Sequence, residues 1–294
     1  MIIVVINGGV GSQLFQYCAA YNLAKKINSK IYLDICFYNG LKHNPANPKL
    51  AANIFNFFEV IKVNKIRIIK NIWISRFLRI YFSIVSFLTF GFIKYKRIDI
   101  DEPFGFTEFP IAKHYFINGN PNNLSYIADH LEKFLTKFIL NKKKKFKKIR
   151  VGIHVRRDDY ADTEVDVCGK DYYENAIDKF FELTKLNSSD VKFVIFCQEF
   201  EWPKKNIDFG KTETEYLIGS HNDAPKDFRE MCDCDHLIIP NSSFSWWPAQ
   251  IISKQKNGLI FCPDLWWNKI DVNKINIYPT NWIVIKTNIS PNKN

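Results

Sequence analysis

The sequence predicts an α/β protein in two halves, each a mostly parallel sheet with helices on its faces, and three observations carry that expectation. Strand-length apolar runs alternate with helical periodicity, most cleanly from residue 149 to residue 262. An apolar run, a glycine-rich turn, a helical stretch and a second apolar run fill residues 2–35, the pattern of a βαβ opening. Between the halves lies KKKKFKK, residues 142–148, a charge run of the kind that forms solvated connections. The 294 residues, 47% of them apolar, suffice for two separate cores, so residues 1–148 are expected as one domain and residues 149–294 as another.

In the first half, residues 2–6 read as a buried strand and residues 31–35 as the strand that completes the βαβ unit. Between them Gly8, Gly9 and Gly11 make a turn, and Leu14, Tyr17, Cys18, Tyr21 and Ala24 mark one face of a helix. Glycines there let the backbone approach a ligand at the helix N-terminus, where N–H groups favour negative charge; the same glycines also serve a tight turn with no ligand. The full G-x-G-x-x-G spacing is absent, and no Lys-Ser or Lys-Thr pair follows as a P-loop requires. A polar loop is expected at 39–48, a helix over 71–96, a strand over 113–119 and a helix over 124–140. Residues 80–93 are an uncharged, aromatic-rich run flanked by Arg79 and Lys94. Crossing a bilayer takes about twenty residues, so this run predicts a buried or interfacial helix.

The second half opens with a strand at 149–155 and a helix at 171–186, where Asp171 and Glu174 have capping-box spacing and Tyr173, Ile177 and Phe180 share a face. Strands at 192–197 and 215–218, a helix at 225–232, a strand at 236–239, the SWW helix and a strand at 259–262 follow. Pro263 is expected to stop the last strand, leaving 264–267 as a loop with an aromatic wall and 288–294 as a frayed end.

Two segments of this half carry chemistry. In IRVGIHVRRDDYAD, residues 149–162, side-chain alternation sends His154 and Arg156 from one face and Val155 and Arg157 from the other. An imidazole and a guanidinium then converge at a strand's carboxyl end, where open α/β sheets bind ligands, and a guanidinium fork matches a phosphate pair. A surface ion-pair cluster of Arg157, Asp158 and Asp159 is the plainer alternative. In IIPNSSFSWWPAQII, residues 238–252, a strand runs into Asn241, Ser242, Ser243 and Phe244 at the head of a helix. Hydroxyls and N–H groups at such a junction hold phosphate oxygens, and aromatic rings offer faces to a base or sugar. Alternatively Ser242 or Ser243 is a helix N-cap and Trp246 and Trp247 are core residues; both readings can hold at once.

Together GGVGSQLFQY, HVRRDDY and NSSFSWW resemble the three signature regions of glycosyltransferase family eleven, the α-1,2-fucosyltransferases, in the family's order and across residues 8–247. The resemblance implies a GT-B fold, with two Rossmann-like domains facing a cleft, a GDP-fucose donor, anomeric inversion and no required metal or other cofactor. Carried over by position, it places Arg156 on the donor pyrophosphate, His154 near the guanine, and Asn241, Ser242, Ser243 and Phe244 at the donor-binding junction. Asp227 matches an acidic position that precedes NSSFSWW, and a carboxylate suits the paired N–H donors of guanine. Gly8, Gly9, Gly11 and Gln13 fall on the N-terminal motif and are assigned to donor binding from across the cleft, in the half that the resemblance makes the acceptor-side domain. Asp159 is nominated as the base for the acceptor proton, with an ion-paired structural carboxylate as its alternative role. The implied reaction is transfer of L-fucose to the 2-hydroxyl of a terminal galactose in a cell-surface glycan. Two positions depart from the pattern: Ser12 stands for an asparagine and Asp158 for a glycine. Asp158 is expected to face Arg157 or solvent, because its charge opposes a pyrophosphate. These departures keep open a GT-B enzyme with another nucleotide sugar or acceptor.

Charge and cysteine usage bound the rest. A net charge of +11 with 16% aromatic residues raises a nucleic-acid-binding protein, but no RNP, zinc-finger or helix-turn-helix signature accompanies it, so no nucleic-acid partner is expected. A dinucleotide-dependent dehydrogenase would place an acidic residue near Asp34, yet the glycine fingerprint is incomplete. The seven scattered cysteines fit a reducing compartment, and the Cys232/Cys234 pair lacks a second pair at zinc spacing, so no metal site is expected. No charged stretch precedes the first apolar run as in a signal peptide. The expectation is a cytoplasmic protein, with peripheral attachment at the inner face of a bacterial membrane where the basic surface meets anionic lipids or acidic glycolipids.

Overall fold

A computed structural model describes residues 1–36, 67–100, 109–138, 146–157, 160–161, 163–219, 224–266 and 270–289. The chain divides into two compact units, Met1–Ile139 and Leu140–Asn294. Each contains one parallel sheet.

In the first unit, β1 (Ile2–Val5), α1 (Val10–Lys26) and β2 (Ile31–Asp34) form the expected βαβ opening. They are followed by β3 (Arg67–Ile69), α2 (Ile72–Leu88), β4 (Tyr95–Ile100) and β5 (His114–Gly119). The sheet order is β3-β2-β1-β5-β4, all parallel. β1 lies at the centre because Ile2, Ile3 and Val4 are apolar on both faces, as a strand covered on both sides must be. α1 starts at Gly9 as N-cap, after Gly8 takes a φ of +70° that a side chain would oppose.

Two helices differ from expectation. The helix expected over 71–96 ends at Leu88, where the Thr89 hydroxyl bonds the Val85 carbonyl at 2.7 Å and receives the Ile93 N–H at 3.2 Å. Phe90 and Gly91 then take φ of +47° and +78°, and the chain leaves as β4. The helix expected over 124–140 is two single 3₁₀ turns, Leu124–Tyr126 and Ala128–His130, and the short α3 (Leu131–Leu135). Asn123 caps the first turn by accepting the Ser125 N–H at 2.9 Å. The polar loop at 39–48 lies outside the described residues.

The second unit runs β6 (Ile149–His154), α4 (Lys170–Thr184), β7 (Val191–Cys197), α5 (Glu201–Asn206), β8 (Glu213–Ile218) and α6 (Ala224–Cys232). It continues with β9 (His236–Ile238), α7 (Ser243–Lys256), β10 (Ile260–Pro263) and β11 (Ile283–Ile285). The order is β11-β10-β9-β6-β7-β8, every pair parallel, so β6 is central between β7 and β9. Within the basic run, residues 142–145 lie outside the described residues, and Lys148 pairs with Glu213 of β8 at 2.9 Å.

Two local expectations are corrected. Asp171 and Glu174 form no capping box: the N-cap of α4 is Gly169, which has no side chain to contribute. Glu174 instead accepts the Asp208 N–H at 2.9 Å, and Asp171 accepts from the Asn288 amide at 3.2 Å, which ties the end expected to fray as far as that residue. Pro263 ends β10 as expected, being its last residue, opposite Ile285. In the loop after it, Leu265 and Trp266 are buried, with Trp266 packed edge-on to Tyr278, so the expected aromatic wall belongs to the core at this position.

Gly152, in the middle of β6, lies beside Leu237 of β9 and Val194 of β7. A Cβ there would sit 2.5 Å from Leu237 Cδ2 and 3.0 Å from both Cys234 Sγ and Phe196 Cε2, all in the buried core. The central strand therefore accepts no side chain at this position. Gly152→Ala is expected to destabilise the protein by about 1–3 kcal/mol through overpacking. Thermal unfolding checks this, and an unchanged midpoint would contradict the packing described.

Candidate functional site

Because β6 and β9 are parallel neighbours, the chain leaves both at the same edge of the sheet. β6 continues into Val155, Arg156 and Arg157, and β9 continues into Asn241, Ser242 and the N-terminus of α7. The two motifs meet there: Arg156 Nη1 donates to Ser242 Oγ at 3.1 Å. The guanidinium also lies over the Tyr160 ring, 4.5 Å from its centroid, a cation–π contact that helps hold it in position. The His154 ring stands edge-on to Phe244 at 6.3 Å, so His154 and Arg156 both turn toward the β9–α7 junction.

Phe244 connects this junction to α6, because its ring meets Phe228 at 6.2 Å. Asp227, the neighbour of Phe228, lies by the ends of β7 and β8. Gly219 follows β8 and donates its N–H to the Cys197 carbonyl at 2.8 Å. A Cβ at Gly219 would fall 2.7 Å from Asp227 Oδ2, so the missing side chain makes room for the carboxylate. His154, Arg156, Asp227, Ser242 and Phe244 thus gather at the carboxyl end of one parallel sheet, where such sheets bind ligands.

Other residues hold this edge in shape. Arg157 leaves on the side opposite Arg156, pairs with Asp166 at 2.9 Å and stacks over Trp202 at 4.4 Å. The ion-pair alternative therefore describes Arg157, with Asp166 as the carboxylate; Asp158 and Asp159 lie outside the described residues. Asn241 is buried, donating to the Val165 carbonyl at 2.9 Å and the Trp266 carbonyl at 3.4 Å and accepting from Cys168 Sγ at 3.7 Å. Its amide ties two loops to the strand end. Burial pushes the Cys168 thiol well above its usual range, so it keeps the proton it donates.

Ser242 occupies the N-cap position of α7, but its side chain makes no cap bond and its hydroxyl turns to Arg156 instead. Ser243 and Phe244 form the first turn of α7, whose N-terminal N–H groups carry partial positive charge. Trp246 and Trp247 are fully buried, and Trp246 Nε1 donates to the Ile277 carbonyl at 2.9 Å, as the core reading expected. Pro248 falls in the second turn of α7 and provides no N–H for the Phe244 carbonyl.

Sequence reasoning missed Tyr172 as a strand-end support and read Tyr173 only as a helix-face residue. Tyr173 donates its hydroxyl to the His154 carbonyl at 3.2 Å, and Tyr172 donates to the Ile239 carbonyl. Burial raises both phenols well above their usual range, so both remain donors. The available signal was their adjacency on the buried face of α4, since a buried phenol needs a partner.

In the first unit, the N-terminal motif builds a turn braced by its own glutamines. Gln13 is buried and donates to the Gly8 carbonyl at 2.9 Å. Gln16, also missed, accepts the Asn7 N–H at 3.0 Å and donates to Asn7 Oδ1 at 2.7 Å and the Gly119 carbonyl at 3.1 Å, joining the ends of β1 and β5. Gly8 and Gly9 supply main chain at this turn, and Gly11 is buried in the first turn of α1. No group of three metal-ligating side chains occurs among the described residues.

Comparison with known proteins agrees with this architecture. The chain is similar to an "Alpha-1,2-colitosyltransferase" of Escherichia coli, 26% identical, over 97% of this chain and 99% of that protein. It is also similar to a "Galactoside alpha-(1,2)-fucosyltransferase 1" of Saimiri sciureus, 28% identical, over 48% of this chain and 39% of that one. Its fold resembles the crystal structure of a glycosyl transferase family 9 protein from Veillonella parvula, with a TM-score of 0.52 at 13% identity, covering 99% of this chain and 88% of that one. The α/β fold with two parallel sheets is thus of the GT-B type. The family model described as Glycosyl transferase family 11 matches residues 1–286, and the protein is a glycosyltransferase that belongs to this family.

Proposed function

We propose that the protein transfers L-fucose from GDP-fucose to the 2-hydroxyl of a terminal galactose in a cell-surface glycan, with inversion and without a metal. The observation that carries this reading is the Arg156–Ser242 hydrogen bond at the N-terminus of α7. It places a permanent cation and helix N–H groups at one point, a combination suited to a pyrophosphate. The second unit takes the donor role: Asp227 faces the guanine, His154 and Phe244 line its approach, and Ser243 adds a hydroxyl at the helix end. Asn241 and Gln13 act by shaping their loops. The first unit takes the acceptor role, with Gly8, Gly9 and Gly11 presenting main chain.

In the reaction the acceptor oxygen attacks the anomeric carbon from the face opposite GDP. The bond from that carbon to the phosphate oxygen breaks with its electron pair going to GDP, and a base takes the acceptor proton. Asp159 is the nominated base. Arg156 and the α7 N-terminus meet the charge that grows on GDP, an interaction stronger in the transition state than in the ground state. Arg156→Ala should therefore lower turnover on the order of a hundredfold or more. The check is GDP release from GDP-fucose with EDTA present, against galactose-terminated acceptors. Turnover that survives the substitution, or that EDTA abolishes, would contradict the reading.

A second reading is favoured by the similarity to a colitosyltransferase along almost the full length of both chains. Colitose is L-fucose without its 3-hydroxyl, so the two donors differ at one polar group. A site that hydrogen-bonds that hydroxyl discriminates strongly against the analogue lacking it, whereas an apolar site discriminates weakly. With GDP-fucose as the natural donor, its kcat/KM should exceed that of GDP-colitose by on the order of a thousandfold or more. A ratio near unity or inverted would assign the deoxy donor instead.

A further inference from the structure

α2 carries two apolar faces, and among the described residues of the first unit only one of them is covered. On the inner face Ser75 is buried and bonds Asp34, Leu78 packs on the core with Ile3, Ile69 and Phe116, and Phe82 lies against Tyr95 and His114. On the outer face Trp73, Phe77, Ile80, Ile84, Phe87 and Leu88 are all exposed. Their spacing of three and four residues sets them in one stripe along a helix about 25 Å long. The turn that ends the helix extends the stripe: Phe90 and Phe92 are 95% and 91% exposed. An apolar surface this continuous is normally covered.

Charge identifies what covers it. From Arg67 to Ile98 the chain has seven basic residues and no Asp or Glu. Arg76 sits at the margin of the stripe with its guanidinium 5.4 Å from the Trp73 ring centroid, and Lys94 and Lys96 follow directly after Phe92. A second copy of the chain would bring the same cations against these and repel. A surface that is apolar below and anionic above complements both features, which is how interfacial helices bind. The helix has 17 residues, and among the described residues no helix is long and apolar enough to cross a membrane.

We propose that the outer face of α2 and the turn through Phe92 form a docking surface for an anionic phospholipid bilayer, lying in the plane of the interface. Trp73, Phe87, Phe90 and Phe92 insert at the level of the acyl boundary, and Arg76, Lys94 and Lys96 meet the phosphates. The proposal is independent of which sugar the second unit binds.

The test is co-sedimentation of the full chain with vesicles of phosphatidylcholine, with and without phosphatidylglycerol, at low and high salt. Wild-type protein is expected to bind the phosphatidylglycerol vesicles at least about tenfold more tightly than the neutral ones, with the difference shrinking in salt. The triple variant Phe87→Ser, Phe90→Ser and Phe92→Ser should weaken binding at least about tenfold, because it removes three large side chains from the bilayer. These positions are exposed, so the fold is expected to persist, as circular dichroism would verify. A second variant, Lys94→Gln with Lys96→Gln, should reduce the preference for anionic vesicles. Absent wild-type binding, equal binding to both vesicle types, or full binding by the triple variant would overturn the proposal. A wild-type dimer that the triple variant dissociates, without vesicle binding, would also overturn it and assign the face to self-association.

Discussion

The bond between Arg156 and Ser242 depends on a constraint set far from either residue, the parallel pairing of β6 with β9. Parallel neighbours end at the same edge, so two motifs separated by 86 positions in sequence arrive side by side. Had β9 run antiparallel, the serines and the start of α7 would lie at the far end of the sheet from the arginine. The all-parallel order also places β6 between two covered strands, which fixes its end more firmly than an edge strand would. Gly152 belongs to the same constraint, since the neighbouring side chains close over the strand at that point.

Two adjacent arginines divide their work by strand alternation. Arg157 is held by a carboxylate and an indole and fixes the loop through Asp166. Arg156 donates to the Ser242 hydroxyl and lies over the Tyr160 ring, contacts that hold it at the β9–α7 junction. The two guanidiniums thus serve different loops, a division that shows only once their partners are known. Around both, Tyr172, Tyr173 and Asn241 fasten the loops and strand ends to one another, so the geometry is set before a ligand arrives.

The sequence displayed the parallel architecture because the strands of the second unit are apolar runs bounded by polar turns, and the motif-bearing ends stood out as charge after apolar sequence. Three-residue edge strands such as β3 and β11 lack enough residues for a period to register. The break after Leu88 was hidden because Phe90 is a poor αL former on propensity, and the Thr89 hydroxyl bonds that set up the turn are tertiary detail. Asp171 and Glu174 had capping spacing, but their partners came from Asn288 and Asp208, distant in sequence. At the site, Arg156 and Ser242 were legible from position, while Asp166, Tyr160 and Trp202 were not, because nothing local marks a residue as the partner of an arginine.

The apolar outer face of α2 and the anion-suited edge of the second sheet belong to different units, and each follows from its own sequence. For the enzyme's chemistry, the decisive quantity is the affinity for GDP itself. Calorimetric titration of GDP into wild-type protein, Arg156→Lys and Arg157→Lys, all in EDTA, measures it. The wild type is expected to bind without metal, and Arg156→Lys to lose about tenfold or more in affinity, since an ammonium cannot reproduce the guanidinium fork. Undiminished binding by Arg156→Lys, or binding by the wild type only when a metal is restored, would contradict the proposed metal-free donor site at Arg156.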